Sequence, residues 1–197
     1  MSAVRLPADA RRRQLLDVAL EVFAAHGYHD TVMDQVAESA GVTKPVLYQH
    51  FTSKRELYLS VLAEVGTQLE DHIAEATAGA GSPRLQVAAG FSAYFRFVKE
   101  QRSAMTVLLA SQDQADPEFT ATAMAIESVM AATVGRLIDA NLDPDHRRLL
   151  AHGIVGMATG TGRHWINRGL DLDPAVVALQ VADLAWAGLR GIHRIED

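Results

Sequence analysis

Residues 31–54 of the chain read TVMDQVAESAGVTKPVLYQHFTSK, and this stretch decides the fold of the N-terminal part. Its apolar residues recur at spacings of three and four on both sides of Gly41, which predicts two short helices joined by a glycine turn. Helices this short are unstable alone, so each must pack against a third helix. The preceding helix, predicted over residues 9–26 and ended by Gly27, carries the apolar face they need.

Capping patterns predict where the other helices begin. Thr31 with Asp34, and Ser53 with Glu56, each resemble a capping box. Four later helices are predicted to begin at a proline that follows a residue with a capping side-chain oxygen. Proline is tolerated at the first helical position because an N–H there would have no partner within the helix. These pairs are Ser82-Pro83, Asp116-Pro117, Asp143-Pro144 and Asp173-Pro174. The predicted helices after the first cover residues 31–40, 43–51, 53–78, 83–100, 103–111, 117–141, 144–168 and 174–194. We therefore predict an all-α fold with about nine helices.

Composition limits the class of protein. The chain has no cysteine, which excludes disulfides, thiolate catalysis and cysteine-based zinc sites. Neither a signal-peptide pattern nor an apolar run of about 18 residues is present, so we expect a cytoplasmic protein without membrane contact. Residues 1–55 contain seven of the 18 basic residues and six of the 24 acidic residues, so the net charge of this segment is +1. The net charge of the remaining residues is −7. Because phosphate attraction depends on the local field, the composition permits DNA binding in the N-terminal part.

The second short helix of the opening stretch is expected to expose a polar face. This face comprises Thr43, Lys44, Pro45, Tyr48, Gln49 and His50. It offers a cation, an amide able to pair with adenine edges, and hydroxyl and imidazole groups suited to phosphate. In a helix-turn-helix, the N-terminal residues of the second helix lie near base edges, and here these are Lys44 and Pro45. An ordinary helical hairpin with a solvated polar face is the alternative interpretation.

The same region resembles the TetR family of one-component transcriptional regulators over about residues 9–65. The matching motifs are FAAHGY at 23–28, Thr31, VAESAGVT at 36–43, LYQHF at 47–51 and SKREL at 53–57. The resemblance implies that DNA phosphates are held by Thr31, Tyr48, His50 and Lys54. It also implies that Lys44, Pro45 and Gln49 lie on or near base edges and that Thr43 caps the recognition helix. Pro45 departs from the family pattern, in which a glycine or another small residue is frequent, so its contact would be apolar.

The resemblance further implies the domain organisation and the partners. A helix-turn-helix DNA-binding domain would occupy residues 1–54, and a helix from residue 53 would connect it to a ligand-binding and dimerisation domain at residues 55–197. The expected partners are double-stranded DNA with a palindromic operator, a small-molecule effector and a second copy of the chain. The expected function is that of a repressor released from its operator by a small, largely apolar ligand.

The residues of the C-terminal part suggest a ligand pocket and a dimer interface. Aromatic and methionine side chains at helical spacing are candidates for an apolar pocket, although the same pattern is typical of plain core. These candidates are Phe91, Tyr94, Phe95, Met105, Met124, Met157, His164 and Trp165. Small residues on the last two long helices suit close helix packing, either between subunits or within one. The candidate interface residues are Gly153, Gly156, Gly160, Ala182, Ala185, Trp186 and Leu189.

Patterns for catalysis are missing from the sequence. The eight histidines show no metal-ligand spacing with carboxylates, and no nucleophile elbow, phosphate loop or dinucleotide fingerprint is present. We therefore expect no catalytic residues, no metal and no cofactor. Two other classes of function stay open at this point. One is an all-helical enzyme or carrier for small molecules, and the other is an interaction module whose glycine-rich helices bind a different protein.

Overall fold

The computed structural model describes residues 7–112, 115–136, 138 and 142–190, and these residues form nine helices and no strand. The all-α prediction is confirmed. The helices are α1 (Ala8–Asp30), α2 (Met33–Ser39), α3 (Lys44–His50), α4 (Lys54–Ala78), α5 (Pro83–Glu100), α6 (Arg102–Ser111), α7 (Pro117–Gly135), α8 (Pro144–Arg168) and α9 (Pro174–Arg190).

Gly27 interrupts α1 where the sequence predicted its end. Its φ of 76° and ψ of 171° are not helical, but the helix resumes for one more turn to Asp30. The hydroxyl of Thr31 donates a hydrogen bond to the carbonyl of Gly27 at 2.7 Å. The predicted capping box of Thr31 with Asp34 is therefore wrong. Val32 takes the N-cap position of α2 and no side chain caps that helix, because the Thr31 hydroxyl faces back toward α1.

The other predicted helix starts are confirmed. The hydroxyl oxygen of Ser53 accepts a hydrogen bond from the Glu56 N–H at 3.1 Å. At all four Xaa-Pro starts, the side-chain oxygen before the proline accepts a hydrogen bond from an N–H of the first turn. One helix end differs, since α7 stops at Gly135 and not near residue 141. Glycine is a poor helix former, which favours the earlier stop. Residues 139–141 and the predicted last turn at 191–194 lie outside the described residues.

Helix α4 lies at the centre of the packing and contacts α1, α5, α6 and α7. Helix α8 packs against α7, and α9 packs mainly against α5. The buried apolar side chains form one continuous cluster that runs from Leu15 in α1 to Ala185 in α9. The core is therefore continuous across residue 54. The predicted domain boundary there stays a prediction about how function is divided between the two parts of the chain. Among the described helices, none has the length and apolar character that crossing a bilayer requires.

Helices α4 and α7 pack closely at Gly66. A Cβ atom at this position would lie 2.6 Å from Cδ1 and 2.7 Å from Cγ1 of Ile126. Both distances are shorter than real contacts allow, so only glycine fits without a shift of the Ile126 side chain. The centre of α7 is therefore held tightly against α4.

Gly66→Ala should lower the free energy of unfolding by about 1–3 kcal/mol, because the added methyl group overpacks the α4–α7 contact. Urea denaturation followed by circular dichroism measures this change. Gly79→Ala is the matched control, since a Cβ there meets no atom within 4 Å. Equal midpoints for the two variants would contradict the close packing at Gly66.

Candidate nucleic-acid interface and cavity

The turn between α2 and α3 orients the second short helix. Gly41 adopts a φ of 64°, a conformation that side-chain-bearing residues rarely take. The N–H of Val42 donates to the Ala37 carbonyl at 3.0 Å and closes the turn. Behind the turn, Ala37 and Leu47 are buried in the core, so the opposite face of α3 points away from the protein.

The predicted polar face of α3 is on the surface. Its exposed members are Thr43, Lys44, Pro45, Tyr48 and Gln49, and His50 is half-buried. Tyr48 exposes 40% of its surface, which is high for an aromatic residue. Thr43 occupies the N-cap position of α3, as the resemblance implied, but its hydroxyl makes no capping hydrogen bond. The structure thus brings six of the eight predicted DNA-binding residues together on one accessible ridge.

Lys44 is already paired within this ridge. Its ammonium lies 2.7 Å from a carboxylate oxygen of Asp34 in the first turn of α2, and both side chains are more than half exposed. The hydrogen bond to Asp34 raises the pKa of Lys44. Because exposed ion pairs contribute little to stability, Lys44 can exchange this partner for another anion at small cost.

The other two predicted phosphate ligands, Thr31 and Lys54, face inward. Thr31 is fully buried, with its hydroxyl bonded to Gly27. The ammonium of Lys54 donates to the carbonyls of Tyr28, His29 and Thr31 at 2.6, 3.0 and 2.7 Å. It also lies 4.5 Å from the centre of the Tyr28 ring. All three ammonium protons therefore have acceptors at the end of α1, where carbonyls lack helical partners.

A junction between α1, α4 and α7, not predicted from the sequence, lies next to Lys54. Arg55 pairs with both oxygens of Asp116, at 2.8 and 3.1 Å, and with Glu118. Beneath this ion cluster, the Phe119 ring contacts Tyr28 at 4.8 Å and Tyr58 at 4.6 Å between ring centres. Asp116 is also the N-cap of α7, so the same carboxylate begins α7 and binds the first turn of α4. No local pattern relates residues about sixty positions apart, which is why sequence analysis missed this contact.

A cavity of about 280 Å³ lies between α4, α5, α7 and α8. Its wall is mostly apolar. The lining residues are Glu70, Asp71, Ile73, Ala74, Thr77, Gln86, Val87, Gly90, Phe91, Tyr94, Val129, Met130, Thr133, Val134, Ile154, Val155 and Ala158. This set contains two carboxylates and no lysine or arginine.

Two of the eight predicted ligand-binding residues, Phe91 and Tyr94, line this cavity. The other six lie elsewhere. Phe95 and Met105 are fully buried in the core, Met124 and His164 are exposed, and Met157 is half-buried. Trp165 is buried, and its indole N–H donates to the Leu170 carbonyl at 2.7 Å. Most wall residues of α4 and α7, such as Ala74 and Val134, were missed because small and β-branched residues carry no pattern that distinguishes a cavity from a core.

The predicted interface residues fall into two groups. Gly153, Gly156 and Gly160 lie on an exposed face of α8, where an added Cβ would meet no atom within 4 Å. Ala182 and Ala185 are buried within the chain, and Trp186 and Leu189 are half-buried. Exposed leucines accompany the glycines on α8 and α9, namely Leu149, Leu179 and Leu184. The residues 7–112, 115–136, 138 and 142–190 contain no cluster of three or more metal-ligating side chains.

Comparison with known proteins agrees with this geometry. Residues 15–61, which span most of α1 through the start of α4, match the family described as bacterial regulatory proteins, tetR family. The HTH-type transcriptional activator FasR of Mycolicibacterium smegmatis is 36% identical over 189 residues, which cover 94% of this chain and 85% of that relative.

Solved structures share the fold along nearly the whole chain. A TetR-like transcriptional regulator from Rhodococcus sp. RHA1 is 28% identical with a TM-score of 0.78, covering 95% of this chain and 100% of that one. The transcriptional regulator FadR from Bacillus subtilis, in complex with stearoyl-CoA, has a TM-score of 0.80 and covers 92% of this chain and 99% of its own. FadR is 22% identical, so this likeness concerns the fold alone.

Lys54→Met should lower the free energy of unfolding by about 1.5–3 kcal/mol, because three carbonyls at the end of α1 lose a charged donor. Lys99→Met is the matched control, since Lys99 makes only an exposed ion pair with Asp171. Thermal or urea unfolding of both variants gives the comparison. If Lys54→Met were as stable as Lys99→Met, the inward contacts of Lys54 would not contribute to the fold.

Proposed function

The chain belongs to the TetR family of bacterial regulatory proteins, and we propose that it is a homodimeric repressor that an apolar ligand releases from a palindromic operator. That the protein is a DNA-binding transcriptional regulator, and not an enzyme, follows from the family itself. The observation that carries the proposal of operator binding is the accessible polar ridge on α3, which the Gly41 turn holds outward. A cytoplasmic location is proposed with it, because the DNA is there.

The proposed DNA contacts divide by position on the ridge. Lys44 and Pro45 at the N-terminal end of α3, and Gln49 in its last turn, would meet base edges, while Tyr48 and His50 would meet phosphates. Thr43 precedes them at the N-cap. We assign Thr31 and Lys54 a supporting role, because their polar groups bind the backbone at the end of α1.

The low net charge of the N-terminal part favours a few specific contacts with DNA over a general electrostatic attraction to phosphates. Residues 1–55 carry only +1, so a few groups must supply the affinity. Lys44 is held by Asp34 in the free chain, and on DNA it would exchange that carboxylate for a base or phosphate acceptor. Pro45 offers a rigid apolar contact, suited to a thymine methyl group.

Gln49→Ala should weaken binding to the selected operator about 10- to 100-fold and relax the base preference at one position of each half-site. Selection of bound DNA from a random pool identifies the operator, and gel shift at fixed salt measures the affinity. Gln68→Ala, on the exposed face of α4, is the matched control and should bind as the wild type does. The proposal fails if no DNA is retained at low salt, or if the selected sites are not palindromic.

A second copy of the chain is proposed to cover the outer face of α8 and α9. Three glycines and three large leucines are exposed there, and an apolar patch of this kind is typical of an interaction site. A two-fold dimer would place two α3 helices about 34–36 Å apart, one turn of DNA. Ala182 and Ala185 would support this face from inside the chain, since they are buried.

Gly156→Glu should convert the dimer to a monomer. The isolated chain has room for the new side chain, because a Cβ at Gly156 meets no atom within 4 Å, but a partner helix packed on this face would not. Light scattering after gel filtration measures the mass. Gly79→Glu, which also meets open space but lies between α4 and α5, should stay dimeric. A dimeric Gly156→Glu variant would place the interface elsewhere.

The cavity is proposed as the effector site. It is apolar, and α7 carries both its wall residues Val129–Val134 and the junction residues Asp116, Glu118 and Phe119. A ligand that favours a different position of α7 would therefore act on Arg55 and on the end of α1. The complex of Bacillus subtilis FadR with stearoyl-CoA supports a ligand with a long apolar chain in this fold. The relative FasR is named an activator, so a promoter–reporter assay decides whether operator binding represses or activates.

A further inference from the structure

Tyr94 in the middle of α5 combines two properties. It contributes to the wall of the cavity, and it is 2% exposed. Its hydroxyl is buried and has no hydrogen-bond partner among the described residues. Buried hydroxyl groups almost always have a partner, because an unpaired one loses its hydration without compensation.

The surroundings of the hydroxyl explain why no side chain satisfies it. It lies against α8 at Gly162, where a Cβ would come within 2.8 Å of the oxygen. Arg163 and Glu127 act on the hydroxyl electrostatically and are connected through Gln112, because Arg163 donates to the Gln112 side chain and the Gln112 amide donates to Glu127 at 2.7 Å. Burial raises the pKa of Tyr94 well above its ordinary value, with a smaller contribution from Glu127. The side chain is therefore a neutral phenol that still has a proton to donate.

The remaining polar groups of the wall leave few other donors. Thr77 and Thr133 donate their hydroxyl protons to carbonyls of their own helices, those of Ile73 and Val129. Glu70 and Asp71 accept hydrogen bonds and do not donate when ionised. Gln86 is the other donor, but it lies eight residues before Tyr94, about 12 Å along the helix.

We propose that Tyr94 is the polar anchor of the effector cavity and that its hydroxyl donates a hydrogen bond to a carbonyl oxygen of an otherwise apolar ligand. The inference rests on the proposed effector site and names its ligand class. A neutral carbonyl, as in an ester, thioester or ketone, fits better than a carboxylate, because the wall residues include no lysine or arginine. The ligand supplies the acceptor that the described residues do not.

The test compares Tyr94→Phe with the wild type using methyl decanoate and undecane, two apolar chains of which only the ester has a carbonyl. Displacement of a neutral naphthylamine dye measures both affinities. Tyr94→Phe should weaken binding of the ester about 3- to 10-fold and should not weaken binding of the alkane, because only the ester loses a hydrogen bond. The ligand-free variant should also melt about 2–4 °C higher, because it no longer buries an unpaired hydroxyl.

Tyr58→Phe is the matched control. Its hydroxyl is also buried but donates to the Val107 carbonyl at 3.4 Å, so its loss should not raise the melting temperature and should leave ester binding unchanged. A Tyr94→Phe variant that melts no higher than the wild type, or that binds the ester as tightly as the wild type, overturns the inference. If neither compound displaces the dye from the wild type, the effector site fails together with the inference. Operator binding by gel shift tests the DNA-binding part of the proposed function independently of both.

Discussion

The ammonium of Lys54 binds three backbone carbonyls at the end of α1, and the position of the polar ridge on α3, the proposed DNA-reading surface, depends on that contact. Helix α1 ends in a kinked turn after Gly27, where its last carbonyls have no helical partners. Because Lys54 is the first residue of α4, its bonds to Tyr28, His29 and Thr31 fix the two helices relative to each other. Helices α2 and α3 lie between these points in the chain, so their orientation is set at both ends.

The neighbouring junction of α1, α4 and α7 connects the N-terminal helices to the cavity through α7. Asp116 caps α7 and binds Arg55, while Phe119 packs between Tyr28 and Tyr58. Ten residues further along, α7 forms part of the cavity wall. The close contact of Gly66 with Ile126 lies between the two ends. Helix α7 is therefore one continuous, packed element that extends from the junction to the cavity wall.

The cavity shows how limited composition is as a guide to a binding site. Phe95 and Met105 resemble Phe91 in chemistry and lie on the same or the next helix, yet they are core. The cavity wall is completed by small and β-branched residues such as Ala74, Val134 and Ala158. A cavity forms where four helices diverge slightly, and that divergence depends on all the contacts among them.

The sequence by itself determined the features that depend on a few neighbouring residues. Gly27 and Gly41 predicted interruptions of the helices, and four pairs of a capping residue with a following proline predicted helix starts. Residues 43–50 predicted the polar face of α3. Only the tertiary structure decided what depends on residues far apart in the chain. In it, Thr31 and Lys54 face inward, Arg55 binds Asp116, and only Phe91 and Tyr94 of the eight predicted ligand-binding residues line the cavity. The physical reason is that caps and turns are set by local backbone geometry, whereas a side chain finds its partner only after distant helices have packed.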